Sequence, residues 1–154
     1  MFLYLVQHGE ARREEEDPAR GLTKKGMDDV WKAASLARKM GIHVASIFHS
    51  GKTRALQTAQ ILADFLQTSH EASEADNLAP MDDPALWAGR LRAMTDDIML
   101  VGHLPHLAKL AGLLLCGNKE QMVVDFTMGG IVCLNRFDDG RWAVEWIALP
   151  QMGT

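Results

Sequence analysis

The stretch Phe2-Leu3-Tyr4-Leu5-Val6-Gln7-His8-Gly9-Glu10 decides the fold of this chain. Five apolar residues rich in strand formers run without a polar break, which predicts a strand buried on both faces. The run stops at Gln7-His8-Gly9, where a polar amide, an imidazole and a flexible backbone follow in sequence. Strands of this kind belong to sheets covered by helices on both sides.

Working outward, Arg12 to Gly21 is dense in charge, contains Pro18, and predicts an exposed loop. Leu22-Thr23-Lys24-Lys25-Gly26 leads into a helix with Val30, Ala33, Ala34, Ala37 and Met40 spaced for one face. Gly41 is placed to stop it. His43 to His49 predicts a second strand, and Ser50-Gly51 turns it into a helix from about Thr53 to Leu66. Ala55, Ala59, Leu62, Ala63 and Leu66 line the apolar face of that helix. A short strand near residues 71–73 is a further expectation.

Asp83 and Pro84 have the residue types of an N-cap and first helical position. Asp97 to Val101 predicts a strand, Gly102-His103-Leu104-Pro105 a turn, and the next helix runs through Leu115 to a stop at Gly117. The character then changes. Val123 to Phe126, Gly130 to Phe137 and Arg141 to Leu149 are strand-like, with Asp138-Asp139-Gly140 as a turn. Alternation followed by strand pairing predicts an α/β fold. It is a three-layer α/β/α sandwich whose mainly parallel sheet has an antiparallel edge.

The 154 residues suit one domain spanning 1–154. The net charge of -4 argues against nucleic acid or a membrane surface as partner, because an acidic body is repelled by both. Two cysteines are too few for a disulfide framework. Without a signal peptide or spanning segment, a cytoplasmic location is expected.

In open α/β sheets, ligands collect where strands end. Three expected strand ends carry chemistry: Gln7-His8-Gly9, His49-Ser50-Gly51 with Arg54 one turn on, and Gly102-His103. Helix N-termini suit anions, and an arginine there opposes the helix dipole unless an anion is present. A guanidinium grips phosphate oxygens through two parallel bonds. Two histidines on one phosphate divide the labour: a neutral one attacks phosphorus, and the other donates to the oxygens.

These residues resemble the histidine phosphatase superfamily, in its small SixA-like phosphohistidine phosphatase branch. The match runs in order through His8-Gly9-Glu10-Ala11, Asp17 to Arg20 with Leu22-Thr23 and Gly26, Ser50 to Thr58, and Val101 to Pro105. The resemblance implies a phosphoglycerate mutase-like fold and transient phosphorylation of His8. It implies a catalytic set of His8, His103 and Arg54, and a phosphate pocket of Gln7, His8, Arg20, Arg54 and His103. It implies no cofactor. Larger relatives carry an acidic proton donor in an inserted lobe that this chain has no room for; Asp17 is the candidate donor here. The open site implies a phosphorylated protein, displaying phosphohistidine, as partner.

One position departs from the family pattern, which begins Arg-His-Gly where this chain has Gln7-His8-Gly9. A neutral hydrogen bond contributes about 0.5–1.5 kcal/mol net, against about 1.5–3 for a charged one. Losing about 1–2 kcal/mol slows turnover roughly tenfold unless Lys52 or Arg12 supplies the missing charge.

Other residues have plainer expectations. His106 is expected at the pocket rim, His43 and His70 at the surface, and His49 at either the rim or the strand-end packing. His103-x-x-His106 is half a zinc pattern, but no third and fourth ligands stand at recognisable spacing, so no metal is expected. Glu10 is expected to point away from His8. Two rival functions stay open: a phosphatase of small phosphorylated metabolites, and a phosphate- or phosphoprotein-binding module that has lost turnover through Gln7.

Overall fold

The structure is a computed structural model and describes residues 1–153. Strand β1 (Phe2–Gln7) sits inside a six-stranded sheet. The other strands of that sheet are β3 (Ser46–His49), β5 (Ser73–Glu74), β6 (Ile98–Gly102), β7 (Ile131–Arg136) and β8 (Trp142–Ala148). Their spatial order is β5-β3-β6-β1-β7-β8. β5, β3, β6 and β1 run parallel, while β7 and β8 pair antiparallel. A parallel sheet with an antiparallel edge is therefore present, as the sequence predicts.

The alternation along β1 divides the core into two layers. Tyr4 and Val6 pack with Val30, Ala34, Ala59 and Leu62 from α1 (Lys24–Lys39) and α2 (Thr53–Phe65). Leu3 and Leu5 pack with Trp87, Leu91, Leu107 and Leu110 from α3 (Pro84–Ala93) and α4 (His106–Cys116). Helices thus cover both faces. None of the described helices is long and apolar enough to cross a membrane.

The expected punctuation holds at several ends. The Asp83 side chain accepts from Ala85 N at the start of α3, with Pro84 in the first turn. Gly41, Gly117 and Gly140 all have positive φ where a stop or turn is expected. Thr23 caps α1 by accepting from Gly26 N.

Four local expectations are corrected. Met40 is not on the buried face of α1; it is the C-cap and 47% exposed. Ile42, returned by the turn at Gly41, joins that core layer instead. His43 to His49 is not one strand. β2 (His43–Val44) pairs with β4 (Gln67–Thr68), and only Ser46–His49 enters the main sheet. A straight strand would direct Val44 and Ile47 to opposite faces, but both are buried in the same layer, and the break at Ala45 allows it. The short strand lies at Ser73–Glu74, slightly beyond residues 71–73. Val123 to Phe126 forms no strand; Val124 is its one buried residue, and both sides of β1 are already occupied by β6 and β7.

A close contact between β1 and α1 sets the geometry next to His8. A Cβ on Gly9 would lie 2.8 Å from Val30 Cγ2 and 2.9 Å from Gly26 O. A Cβ on Gly26 would strike the backbone of Glu10. Glycine at both positions lets the helix start against the strand end.

Candidate active site

Because β3, β6 and β1 are adjacent and parallel, their carboxyl ends leave the sheet along one edge. Gln7 is level with Gly102, and His49 with Val101. His8, Ser50 and His103 are the next residues out, so the chain topology alone places them together. His8 N donates to Gly102 O at 3.1 Å. The His8 and His103 rings have centroids 5.0 Å apart, tilted by 50°.

His8 Nδ1 lies 2.7 Å from Gly9 O. A carbonyl only accepts, so Nδ1 carries the hydrogen and Nε2 keeps its lone pair. Burial lowers the His8 pKa below the ordinary value, and the charges of Arg54 and Arg20 lower it further against the opposing Gly9 bond. The imidazole is held neutral. His103 is 1% exposed, and its Nε2 is 2.6 Å from Ser50 Oγ. Burial, then His8, Arg54, Lys52 and His106, push His103 down to about 3. His103 therefore donates to an oxygen as a neutral ring rather than as a standing cation.

Arg54 stands in the first turn of α2, which has neither a side-chain N-cap bond nor an acid. Its Nε is buried with no hydrogen-bond partner, and burial and Arg20 both lower its pKa. Arg20 has φ +52, a strained value for a residue with a Cβ. The loop holds it there. Arg20 N donates to Asp17 O at 2.8 Å, and Arg20 Nε to Arg12 O at 3.2 Å. Leu22 N donates to Gln57 Oε1 at 2.7 Å, tying the loop to α2. Thr58 joins α2 to the end of the His8 strand: it accepts from Gly9 N at 3.0 Å and donates to Arg54 O at 2.8 Å.

Asp17 is committed elsewhere. Its two carboxylate oxygens accept from Ala19 N at 3.1 Å and Gly21 N at 2.9 Å. The Gly21 and Ala19 bonds hold its carboxyl below the usual range. That is an ionised anchor of the Arg20 loop. Glu10 turns away from His8, as expected, and accepts from Thr23 Oγ1 at 2.7 Å beside the α1 N-terminus. The charges that act on His8 and His103 are those of Arg54, Arg20, Lys52 and, on His103, of His8 and His106. Of the two compensating residues expected for Gln7, the charge of Lys52 reaches His103, whereas Arg12 contributes its carbonyl to Arg20. Gln7 Oε1 is buried and unpartnered.

The remaining histidines separate clearly. His43 and His70 are exposed. His49 is buried and its Nδ1 accepts from Gly51 N at 3.1 Å, which makes it strand-end packing. His106 is not at the rim but fully buried, with both ring nitrogens unpartnered. Ser50 is legible in the sequence only as part of a strand end; its hydroxyl partner, His103 just beyond β6, has no signal in local sequence.

The arrangement presents a neutral nucleophilic nitrogen beside cations and polar hydrogens, with helices α2 and α4 beginning at the same edge. It suits a phosphoryl group. The protein histidine phosphatase SixA, solved with tungstate, has the same fold: TM-score 0.87 over 99% of each chain at 24% identity. A phosphoserine phosphatase from Entamoeba histolytica, solved with 3-phosphoglyceric acid, matches with TM-score 0.69 over 96% of each chain at 18% identity. An uncharacterized protein of Picosynechococcus sp. is 34% identical over 124 residues, covering 76% of this chain and 74% of its own. Residues 3–83, which carry His8, the Arg20 loop and Arg54, match the histidine phosphatase superfamily (branch 1). The chain belongs to that superfamily, and it is a phosphatase that works through histidine.

Proposed function

We propose that this phosphatase removes the phosphoryl group from phosphohistidine displayed on a protein. The observation that carries the reading is electrostatic. The groups whose charge acts on the two site histidines are Arg54, Arg20, Lys52, His106 and, for His103, His8, with no carboxylate among them, and Asp17 is tied up as a loop anchor. An alkoxide leaving group needs a general acid. A phosphohistidine does not need one from the enzyme: its free ring nitrogen takes a proton from solvent, and the ring departs as neutral imidazole. The SixA likeness supports the same substrate class.

In this mechanism the His8 Nε2 lone pair attacks phosphorus as the P–N bond to the substrate breaks. Arg54, Arg20, His103 and the Gln7 amide hold the equatorial oxygens. Positioning and charge supply most of the rate. Water then attacks the His8 phosphoryl group; phosphate leaves and the electron pair returns to Nε2. Ser50, bonded to His103 Nε2, orients that ring.

The test compares a chemically phosphorylated histidine protein with phosphoserine under the same conditions. Faster hydrolysis of phosphohistidine, by about a hundredfold or more in kcat/KM, is expected from the general-acid contribution it dispenses with. Equal efficiency on phosphoserine overturns the substrate assignment. Unchanged activity of His8→Ala overturns the mechanism.

A further inference from the structure

The described residues hold five buried side-chain nitrogen or oxygen atoms without a hydrogen-bond partner. They are Gln7 Oε1, Arg54 Nε, His103 Nδ1 and both ring nitrogens of His106. All belong to the same end of the sheet. A buried polar group without a hydrogen bond loses its hydration with nothing in return, so a fold rarely collects several in one place without use. Arg54 and His103 are accounted for by the phosphoryl group. Gln7 Oε1, an acceptor that phosphate oxygens cannot satisfy, and the two His106 nitrogens are not.

Their placement relates them. Gln7 continues the alternation of Leu3 and Leu5, which face the α3–α4 layer. His106 opens α4, at the end of the sheet where β1 and β6 finish. His106 also acts electrostatically on His103. We propose that His106 is a positioning residue of the phosphoryl site, which takes a proton from solvent when a dianion binds and so furnishes charge that Gln7 lacks.

The groups around His106 suit that role. Asp82 and Asp83, in the segment before α3, favour its protonated form, and burial opposes it and wins in the free protein. Both carboxylates are fixed, Asp82 by Ala79 N at 2.9 Å and Asp83 by Ala85 N at 3.0 Å. Lys109 and Lys119 are the cations that line the hollow shared by those aspartates and Pro105. His103 faces it from the turn before α4. A dianion at His103 and Arg54 shifts this balance toward the cation. The protonated ring has two donors, and Gln7 Oε1 is an acceptor without one.

The inference rests on the phosphoryl-site reading above, and calorimetry separates the two. Sulfate is the probe, because it stays a dianion from pH 5 to 8. Titrations in buffers of different ionisation enthalpy count the protons taken up. Near pH 7, His106→Leu and His106→Gln are both expected to take up fewer protons per sulfate than the wild type, and to bind about tenfold more weakly, the range of a charge-assisted bond. Adding Gln7→Arg to His106→Leu is expected to restore affinity without restoring uptake, which a packing role for His106 would not produce. Sulfate binding that Arg54→Ala leaves intact overturns the site and this inference with it. Binding lost in Arg54→Ala, with uptake unchanged in both His106 variants, overturns this inference alone.

Discussion

His8 Nδ1 stands 2.7 Å from the carbonyl oxygen of Gly9. That one bond assigns the tautomer, and the tautomer assigns the reactive atom. The phosphoenzyme is expected to carry phosphate on Nε2. Rapid quenching in base followed by NMR of the modified peptide distinguishes the two ring isomers, and an Nδ1 adduct would contradict the bond.

The same ring predicts a pH profile. Burial, Arg54 and Arg20 lower the His8 pKa from its usual 6.5. Only the neutral ring attacks, so the acid limb of kcat/KM is expected below pH 6.5. Arg20→Gln removes one of the lowering charges and moves that limb to higher pH. The limb staying in place would show that Arg20 does not act on His8. For stability the sign is parallel. His103 falls from 6.5 to about 3 on folding, so stability is full above pH 6.5 and is lost as pH drops toward 3. Urea midpoints measured across that window test it.

Lys52 and Arg12 make a paired prediction. The charge of Lys52 reaches His103, whereas the contribution of Arg12 is its backbone oxygen. Lys52→Ala is expected to lower kcat/KM about two- to fivefold, equivalent to about 0.4–1 kcal/mol. Arg12→Ala is expected to change it by less than about twofold, since the carbonyl remains. Equal effects would remove the basis for preferring Lys52.

Asp17→Ala tests anchor against acid. Losing two bonds to Ala19 N and Gly21 N loosens the loop that holds Arg20 at φ +52. The cost is expected at about 1–2 kcal/mol of kcat/KM. It should be the same for substrates with good and poor leaving groups. A loss confined to poor leaving groups would make Asp17 the proton donor instead.

Gly26→Ala addresses the scaffold. The added methyl meets the backbone of Glu10, which cannot swing aside as a side chain would. Destabilisation of about 1–3 kcal/mol is expected from overpacking, read as a lower urea midpoint. Since Glu10 is two residues from His8, activity should fall with it.

Much of this was legible in the chain itself. The unbroken run Phe2 to Val6 identified a strand buried on both faces, because only helices on both sides of a sheet bury successive residues. Asp83-Pro84, Gly41 and Gly117 marked helix ends, because caps and left-handed backbone demand particular residue types. Where local pattern failed, a distant partner was responsible. Val44 and Ile47 look like one strand until their shared core layer forces a break at Ala45. Val123 to Phe126 has strand composition but buries only Val124 and pairs with no strand.

The sequence by itself determined which groups are on offer, since an imidazole lone pair and guanidinium charges are properties of residue type and order. Tertiary structure alone decided what state they are in. The neutrality of His8 and His103 comes from burial and from arginines supplied by other segments. The commitment of Asp17 to its own loop and the full enclosure of His106 are likewise facts of packing. Charge state depends on solvent exclusion and on neighbours through space, and neither is written along the chain.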